Sequence, residues 1–448
     1  MFEQAKLETK RSMLQLIRAN PPVRLRNWIF GAERYRSGLV LFFAAFFAFG
    51  MWFFVDRIWS PPTEMHFSDL YPRWYGSREL LLHGRDPYAP GVTREIQVWS
   101  YGHALDEKNK LGTQDEDRFA YPLYVAFLLA PTVGLSYPAT ESLFRIILPA
   151  LALLSAPLWI LGLRWKCSRT VLGSLTLLSF GSFPALESVY LQQPVLIAAA
   201  LMAGCAAALA RGRLFLAGIL LALATIKPQL TTLLVLWLLV WALSSWRSRQ
   251  RFVWGFGVTM LLLVEASEVL LPGWIHEFVA GIIAYQHYTG NFSILTLTFG
   301  HAGGVITSTG LVAGFGYVAW RLGDASAGSD QFAFVLCSAL ALTTVVVPTM
   351  YPTGQLVLLP CFFWLLKSFR TIWARGRAGR LAFVAVSSLL AWTWVSAATF
   401  MLARCVVPAD VIHKLWIVPV SALVLVPPAT LIMFGVMTTT MLRSKELR

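Results

Sequence analysis

Residues 381–402, LAFVAVSSLLAWTWVSAATFML, run without a charged side chain, and one helix of that length crosses the hydrocarbon core of a bilayer. Comparable apolar runs fall at about 38–57, 142–163, 170–187, 193–210, 214–228, 230–245, 252–271, 303–320, 331–348, 353–370 and 412–437. In hydrocarbon every backbone N–H and C=O must find its partner within the protein, so such runs fold as helices. The pattern predicts an all-α, polytopic transmembrane protein with about 12 spans. A soluble domain carries roughly a quarter charged residues; in this chain of 448 residues only 13% are charged and 57% are hydrophobic. The net charge of +14 does not point to nucleic acid, because the basic residues sit in short clusters between apolar runs. Cytoplasmic loops facing anionic membrane lipids have that distribution.

Those clusters set the expected orientation. The N-terminus, RWKCSR (164–169), RGR (211–213), WRSRQR (246–251), KSFRTIWARGRAGR (367–380) and the tail RSKELR alternate as loops on one side would, and the positive-inside rule makes that side cytoplasmic. Residues 1–37 read as a basic amphipathic interfacial segment, with no cleavable signal peptide. Residues 38–448 form one transmembrane domain whose first loop, 58–118, is exoplasmic. That loop holds ten acids and seven Lys/Arg, against three and eight in residues 1–36. The remaining outer loops, 271–291 and 348–354, are poor in Lys and Arg. YPLYVAFLLAPTVGLSYP (121–138) is apolar enough to tempt a further span, but a thirteenth crossing would put one basic terminus outside. With Pro122, Pro131 and Pro138 in it, it reads as re-entrant or interfacial.

Within the first loop, SDLYPRWYGSRELLLHG has Leu70, Trp74, Leu80 and Leu81 at helical spacing, predicting an amphipathic surface helix over 69–83 ended by Gly84. RDPYAPG then predicts a turn. Cys167, Cys205, Cys337, Cys361 and Cys405 show neither a disulfide framework nor zinc-ligand spacing. There is no Gly-rich phosphate loop, and no metal or cofactor is expected.

FSDLYPRWYGSRELLLHGRDPY (67–88) resembles the first-loop motif of glycosyltransferase family 87, polyprenyl-phosphate-mannose-dependent mannosyltransferases and their bacterial relatives within the GT-C type. Four further segments match in order. FAYPLYVAFLLAP (119–131) is similar to the family's Tyr-Pro-Pro segment, with Leu123 replacing the second proline. YLQQPVLIAAAL (190–201) is similar to its Gly-Gln-x-Asn segment, with Gln192 in place of the glycine. LAGILLALATIKPQ (216–229) is similar to its Ala-Gly…Lys-Pro segment. VPTMYPTGQLVLLP (347–360) is similar to its late Ser-Pro…His segment but has no histidine. The resemblance covers roughly residues 65–360. It implies an integral-membrane, inverting, metal-independent glycosyltransferase of the bacterial inner membrane, with both termini cytoplasmic and the active site exoplasmic. The donor would be a polyprenyl-phosphate-linked sugar, with mannose expected, and the acceptor a lipid or glycan among the membrane lipids.

Each site residue has a plain structural reading beside the functional one. Asp69 directly precedes a helix, where Asp is a favoured N-cap; as a general base it would deprotonate the acceptor hydroxyl and complement an oxocarbenium-like transition state. The resemblance favours the base. Lys227, before Pro228, reads as a snorkelling lysine, yet positive charge is disfavoured on the outer side and a phosphate would be its natural partner. Gln192 and Gln193 read as loop polarity or as hydrogen-bond partners of sugar hydroxyls, and Glu187 as loop polarity. Glu265 and Glu268 share one helical face and would line the site or pair with an arginine such as Arg78 or Arg145. Arg78 and Arg85 would bind substrate or pair with Glu79 and Asp86. Tyr71, Tyr88 and Tyr121, and Tyr351 and Gln355 in the segment without its histidine, complete the substrate-binding candidates. The alternative class is a transporter or flippase of a lipid-linked sugar; transporters place polar residues near mid-membrane on broken helices in related halves.

Overall fold

The computed structural model describes residues 23–59, 68–105, 116–289, 292–347 and 352–446. Every regular element among them is helical. In chain order the α-helices are α1 (Val23–Phe54), α2 (Leu70–His83), α3 (Pro90–Tyr101), α4 (Val125–Leu129), α5 (Tyr137–Gly162), α6 (Arg169–Phe180), α7 (Phe183–Tyr190), α8 (Val195–Ala210), α9 (Leu214–Ala224) and α10 (Pro228–Leu243). There follow α11 (Trp246–Leu270), α12 (Trp274–Thr289), α13 (Ile294–Arg321), α14 (Asp330–Val346), α15 (Leu359–Lys367), α16 (Phe369–Trp373), α17 (Arg377–Ala403), α18 (Ala409–Lys414), α19 (Ile417–Val420) and α20 (Val426–Glu446). Among the described residues six helices are long and apolar enough to cross a membrane. The chain is an integral membrane protein. Among the shorter apolar helices are α8, α9, α10 and α14; α8 and α14 are buried almost all round, as expected of the middle of a bundle.

The helices pack closely where glycines allow it. A Cβ on Gly218 of α9 would meet the backbone of Phe252 and Phe256 on α11, and one on Gly255 would meet the backbone of Phe215. The facing glycines let the two backbones touch, as small residues do in membrane bundles.

The bundle has two chemically different ends. Near residues 163–168, 210–213, 243–250 and 322–330, basic side chains bind backbone carbonyls. Arg249 donates to the carbonyls of Trp241, Gly323, Asp324 and Ala325 at 2.6–3.1 Å and lies over the Trp241 ring at 4.1 Å. Arg164 donates to Ala210 O at 2.6 Å, and Lys367 donates to Leu163 O at 2.8 Å and pairs with Asp330 at 2.6 Å. Cations at the C-terminal ends of helices satisfy orphan carbonyls and oppose the helix dipole. Part of the chain's positive charge is therefore structural.

At the other end the first loop packs onto the bundle. Leu70, Tyr71, Trp74 and Leu80 of α2 share a core with Val92 and Ile96 of α3 and with Phe119–Ala126. From the bundle the same core takes in Phe144, Leu148, Leu196, Ile226 and Trp274. As the sequence predicts, α2 stops at Gly84, whose φ of 64° is left-handed; Gly84 N donates to Leu80 O at 3.1 Å and Arg85 N to Glu79 O at 3.0 Å. Such a C-terminal cap is cheapest with glycine. The following turn is closed by Asp86, which accepts from Tyr88 N at 2.8 Å.

Residues 121–138 contain only the five-residue α4, the 3-10 turn Ala130–Thr132 and the first turn of α5. No helix there is long enough to cross a bilayer. Elsewhere the outlines differ from the sequence-based spans. The run 170–187 breaks into α6 and α7 at Gly181–Ser182, where Gly181 lies against Ala48 of α1 and its carbonyl accepts from Trp394 at 2.7 Å. The outer loop expected over 271–291 is largely the helix α12. The last run begins as α18, α19 and a 3-10 turn before α20, with Pro419, Pro427 and Pro428 removing helical hydrogen bonds.

Candidate active site

Three helix termini distant in sequence converge at the first-loop end. The first is the start of α2. The second is the turn between α7 and α8, and the third is the turn between α9 and α10. Asp69 N donates to Leu191 O at 2.8 Å, fixing the first to the second. Gln192 has φ 52°, a left-handed backbone that costs a non-glycine residue about 1–2 kcal/mol. Its buried side chain offsets that strain by hydrogen bonding. Gln192 Oε1 accepts from Ser68 Oγ at 3.0 Å and from Tyr137 Oη at 3.2 Å, and Nε2 donates to Glu141 O at 3.3 Å. Gln192 is thus a joint, and it delivers its neighbour Gln193 to the site.

Gln193 links the two principal sequence candidates. Lys227 Nζ donates to Gln193 Oε1 at 3.1 Å, and Gln193 Nε2 donates to Asp69 Oδ2. Only one amide orientation serves both partners, because an ammonium has only donors and a carboxylate only acceptors. The glutamine therefore holds the cation and the anion on its two ends. Lys227 and Gln193 are half-buried, so the row of groups is open on one side.

Asp69 does not cap α2. It occupies the N-cap position with no side-chain cap hydrogen bond; its carboxylate turns instead to Gln193 and to Arg73, whose Nη1 is 3.6 Å from Oδ1. Arg73 is one turn along α2, with its side chain only 11% exposed and its guanidinium 4.8 Å from the centre of the Tyr121 ring. Sequence reasoning passed over this residue; the available signal was the i,i+4 spacing from Asp69. Glu187 on α7, read from sequence as loop polarity, is 5% exposed. Its Oε2 has no hydrogen-bond partner among the described residues, and it lies close enough to Asp69 to feel that residue's charge.

The other candidates hold the surrounding structure. Tyr71 stacks on Trp99 with centroids 3.7 Å apart. Arg78 donates to Leu135 O at 3.0 Å and lies over Trp74. Arg85 pairs with Glu79 at 2.6 Å and Glu95 at 2.7 Å, rather than with Asp86. The Arg85 hydrogen bond holds the Glu95 carboxyl below its usual range, and burial raises the Tyr75 phenol to about 12. At neutral pH this corner presents a phenol and an ion pair, not a base. Tyr88 Oη donates to Tyr121 O at 2.7 Å. Glu265 and Glu268 are exposed on α11; Glu268 accepts from Gly273 N at 2.8 Å, and neither pairs with an arginine among the described residues. Gln355 donates to Leu423 O at 2.9 Å. Tyr351 lies outside the described residues.

Residues 115–117 spell Asp-x-Asp, a carboxylate spacing able to ligate a divalent cation. Asp115 lies outside the described residues, Asp117 accepts from Ser100 Oγ and Glu116 pairs with Arg118.

No curated protein and no solved structure matches the chain. The model of glycosyltransferase family 87 matches residues 119–349, just over half of the chain. The matched stretch contains Tyr121, Gln193 and Lys227 and begins after Asp69 and Arg73. With a carboxylate and a cation joined at one end of a membrane-embedded helical bundle, and the family model spanning the segments that build that end, the chain belongs to glycosyltransferase family 87 and is an integral-membrane glycosyltransferase.

Proposed function

We propose that this protein transfers mannose from a polyprenyl-monophosphate carrier to a hydroxyl of a lipid or glycan acceptor on the exoplasmic face. The observation that carries the reading is the Asp69–Gln193–Lys227 row. A base and a phosphate-binding cation stand apart from one another, each held by the same amide. In the proposed reaction the acceptor oxygen attacks the anomeric carbon and gives its proton to Asp69. The bond from that carbon to the phosphate oxygen breaks on the opposite face, inverting the configuration, and polyprenyl phosphate leaves. Lys227, with two of its three N–H groups not used by Gln193, attracts the phosphate as a compact point charge. Gln193 keeps the ammonium from closing directly on the carboxylate.

The two ends of the bundle support an exoplasmic row. Clusters such as RWKCSR, RGR and WRSRQR lie at the end opposite the row, and such clusters stay cytoplasmic. The row then faces out, at the depth of lipid headgroups, where a carrier can keep its tail in the bilayer.

Purified protein supplied with polyprenyl-monophosphate mannose and a lipid extract should yield a new mannosylated product, with or without a chelator. Product formed only from a nucleotide sugar, or only with a divalent cation, would overturn the proposal and turn attention to Asp115 and Asp117.

A further inference from the structure

We propose that Arg73 is the positioning residue of the site: it keeps the Asp69 carboxylate ionised and turned away from the α2 terminus, toward the acceptor hydroxyl. The inference rests on Asp69 being the base. Two features separate Arg73 from a structural arginine. The first is how little holds it. Arg249, the other buried arginine described above, has four backbone carbonyls and the Trp241 ring around it. Arg73 has the Asp69 carboxylate at 3.6 Å and the face of Tyr121, while its buried Nε has no hydrogen-bond partner among the described residues. Burying a guanidinium with so few partners costs stability, so a stabilising role explains it poorly.

The second feature is the charge around Asp69. Glu187 on α7 is near enough to interact with it, although burial is the larger influence on Glu187, and two carboxylates near one site disfavour each other's ionisation. Lys227 reaches Asp69 only through Gln193. Asp117, Tyr121 and Tyr285 lie around Arg73, and none of them adds positive charge. Among the described residues Arg73 is thus a cation in direct reach of Asp69. It favours the charged form of Asp69 while leaving Glu187 as the group that yields. The i,i+4 geometry also fixes direction: Arg73 draws Oδ1 along α2, and Gln193 holds Oδ2 from across the site.

The test is the pH dependence of transfer by full-length Arg73→Gln and Arg73→Lys proteins, measured beside wild type and Asp69→Asn. Without the guanidinium, Asp69 binds its proton more readily. The acid limb of kcat for Arg73→Gln should therefore move up by about one pH unit or more, with the donor KM changed by less than about twofold. Arg73→Lys should keep the acid limb within about half a unit of wild type. A wild-type acid limb in Arg73→Gln, or a loss confined to donor KM, overturns the proposal. If Arg73→Gln does not fold, the lysine variant decides: a wild-type limb supports the charge role, and a displaced limb overturns it. Failure of the underlying reading would look different, because Asp69→Asn would then remain active.

Discussion

Asp69→Asn is expected to leave a folded, membrane-inserted protein whose transfer rate is at least about a hundredfold lower, the usual scale for losing a general base. Asparagine matches aspartate in shape and caps helices about as well. The structure makes the comparison cleaner, because the Asp69 side chain makes no cap hydrogen bond and the anchor to Leu191 O comes from the backbone. Neither depends on charge. What the substitution removes is the capacity to take a proton at neutral pH, together with the negative charge beside Arg73. Initial rates at saturating donor, with size-exclusion profiles to confirm the fold, measure the effect. Near-wild-type turnover would reduce Asp69 to an anchor for Gln193 and Arg73, and the buried Glu187 would become the acid to examine.

Lys227→Ala is expected to act mainly on the donor. A hydrogen bond to a charged partner contributes about 1.5–3 kcal/mol, so the donor KM should rise by about 10- to 100-fold. Lys227→Arg should restore part of the loss, since a guanidinium keeps the charge but not the compact geometry. The alanine variant also frees Gln193 Oε1, so the amide loses the contact that fixes its orientation toward Asp69 and a smaller loss in kcat is expected. Steady-state kinetics across donor concentration separate the two effects. An unchanged donor dependence would return Lys227 to the role of a snorkelling side chain.

The parts of the site that could be read from sequence share one property. Asp69, Gln193 and Lys227 are polar residues at helix ends, the last two beside wholly apolar helices where a polar side chain stands out against its surroundings. The helix 70–83 and its stop at Gly84 were legible because apolar spacing and a left-handed glycine are local signals. Arg73 was hidden by Arg78 and Arg85 farther along the same loop, which are more exposed and carry ordinary structural bonds. Glu187 was hidden by a break. The run 170–187 reads as one span ending in a loop, whereas Gly181 ends α6 and α7 carries the acid inward. Which of two adjacent glutamines serves the site also depends on tertiary contacts, because the left-handed turn at Gln192 sends the neighbouring side chains in different directions. Glu265 and Glu268 could be paired with each other from sequence, but not with their surroundings. Their shared helical face is real, but that face is exposed on α11.

The most direct measurement is crosslinking of a polyprenyl-phosphate-mannose analogue, carrying a photoreactive group on its headgroup, to the purified protein, with the labelled peptides mapped by mass spectrometry. Label should concentrate on residues 68–73, 190–194 and 225–229, and excess unlabelled carrier should remove it. Label on 163–168, 210–213 or 243–250, at the carbonyl-binding basic end, would contradict a donor site built from Asp69, Gln193 and Lys227.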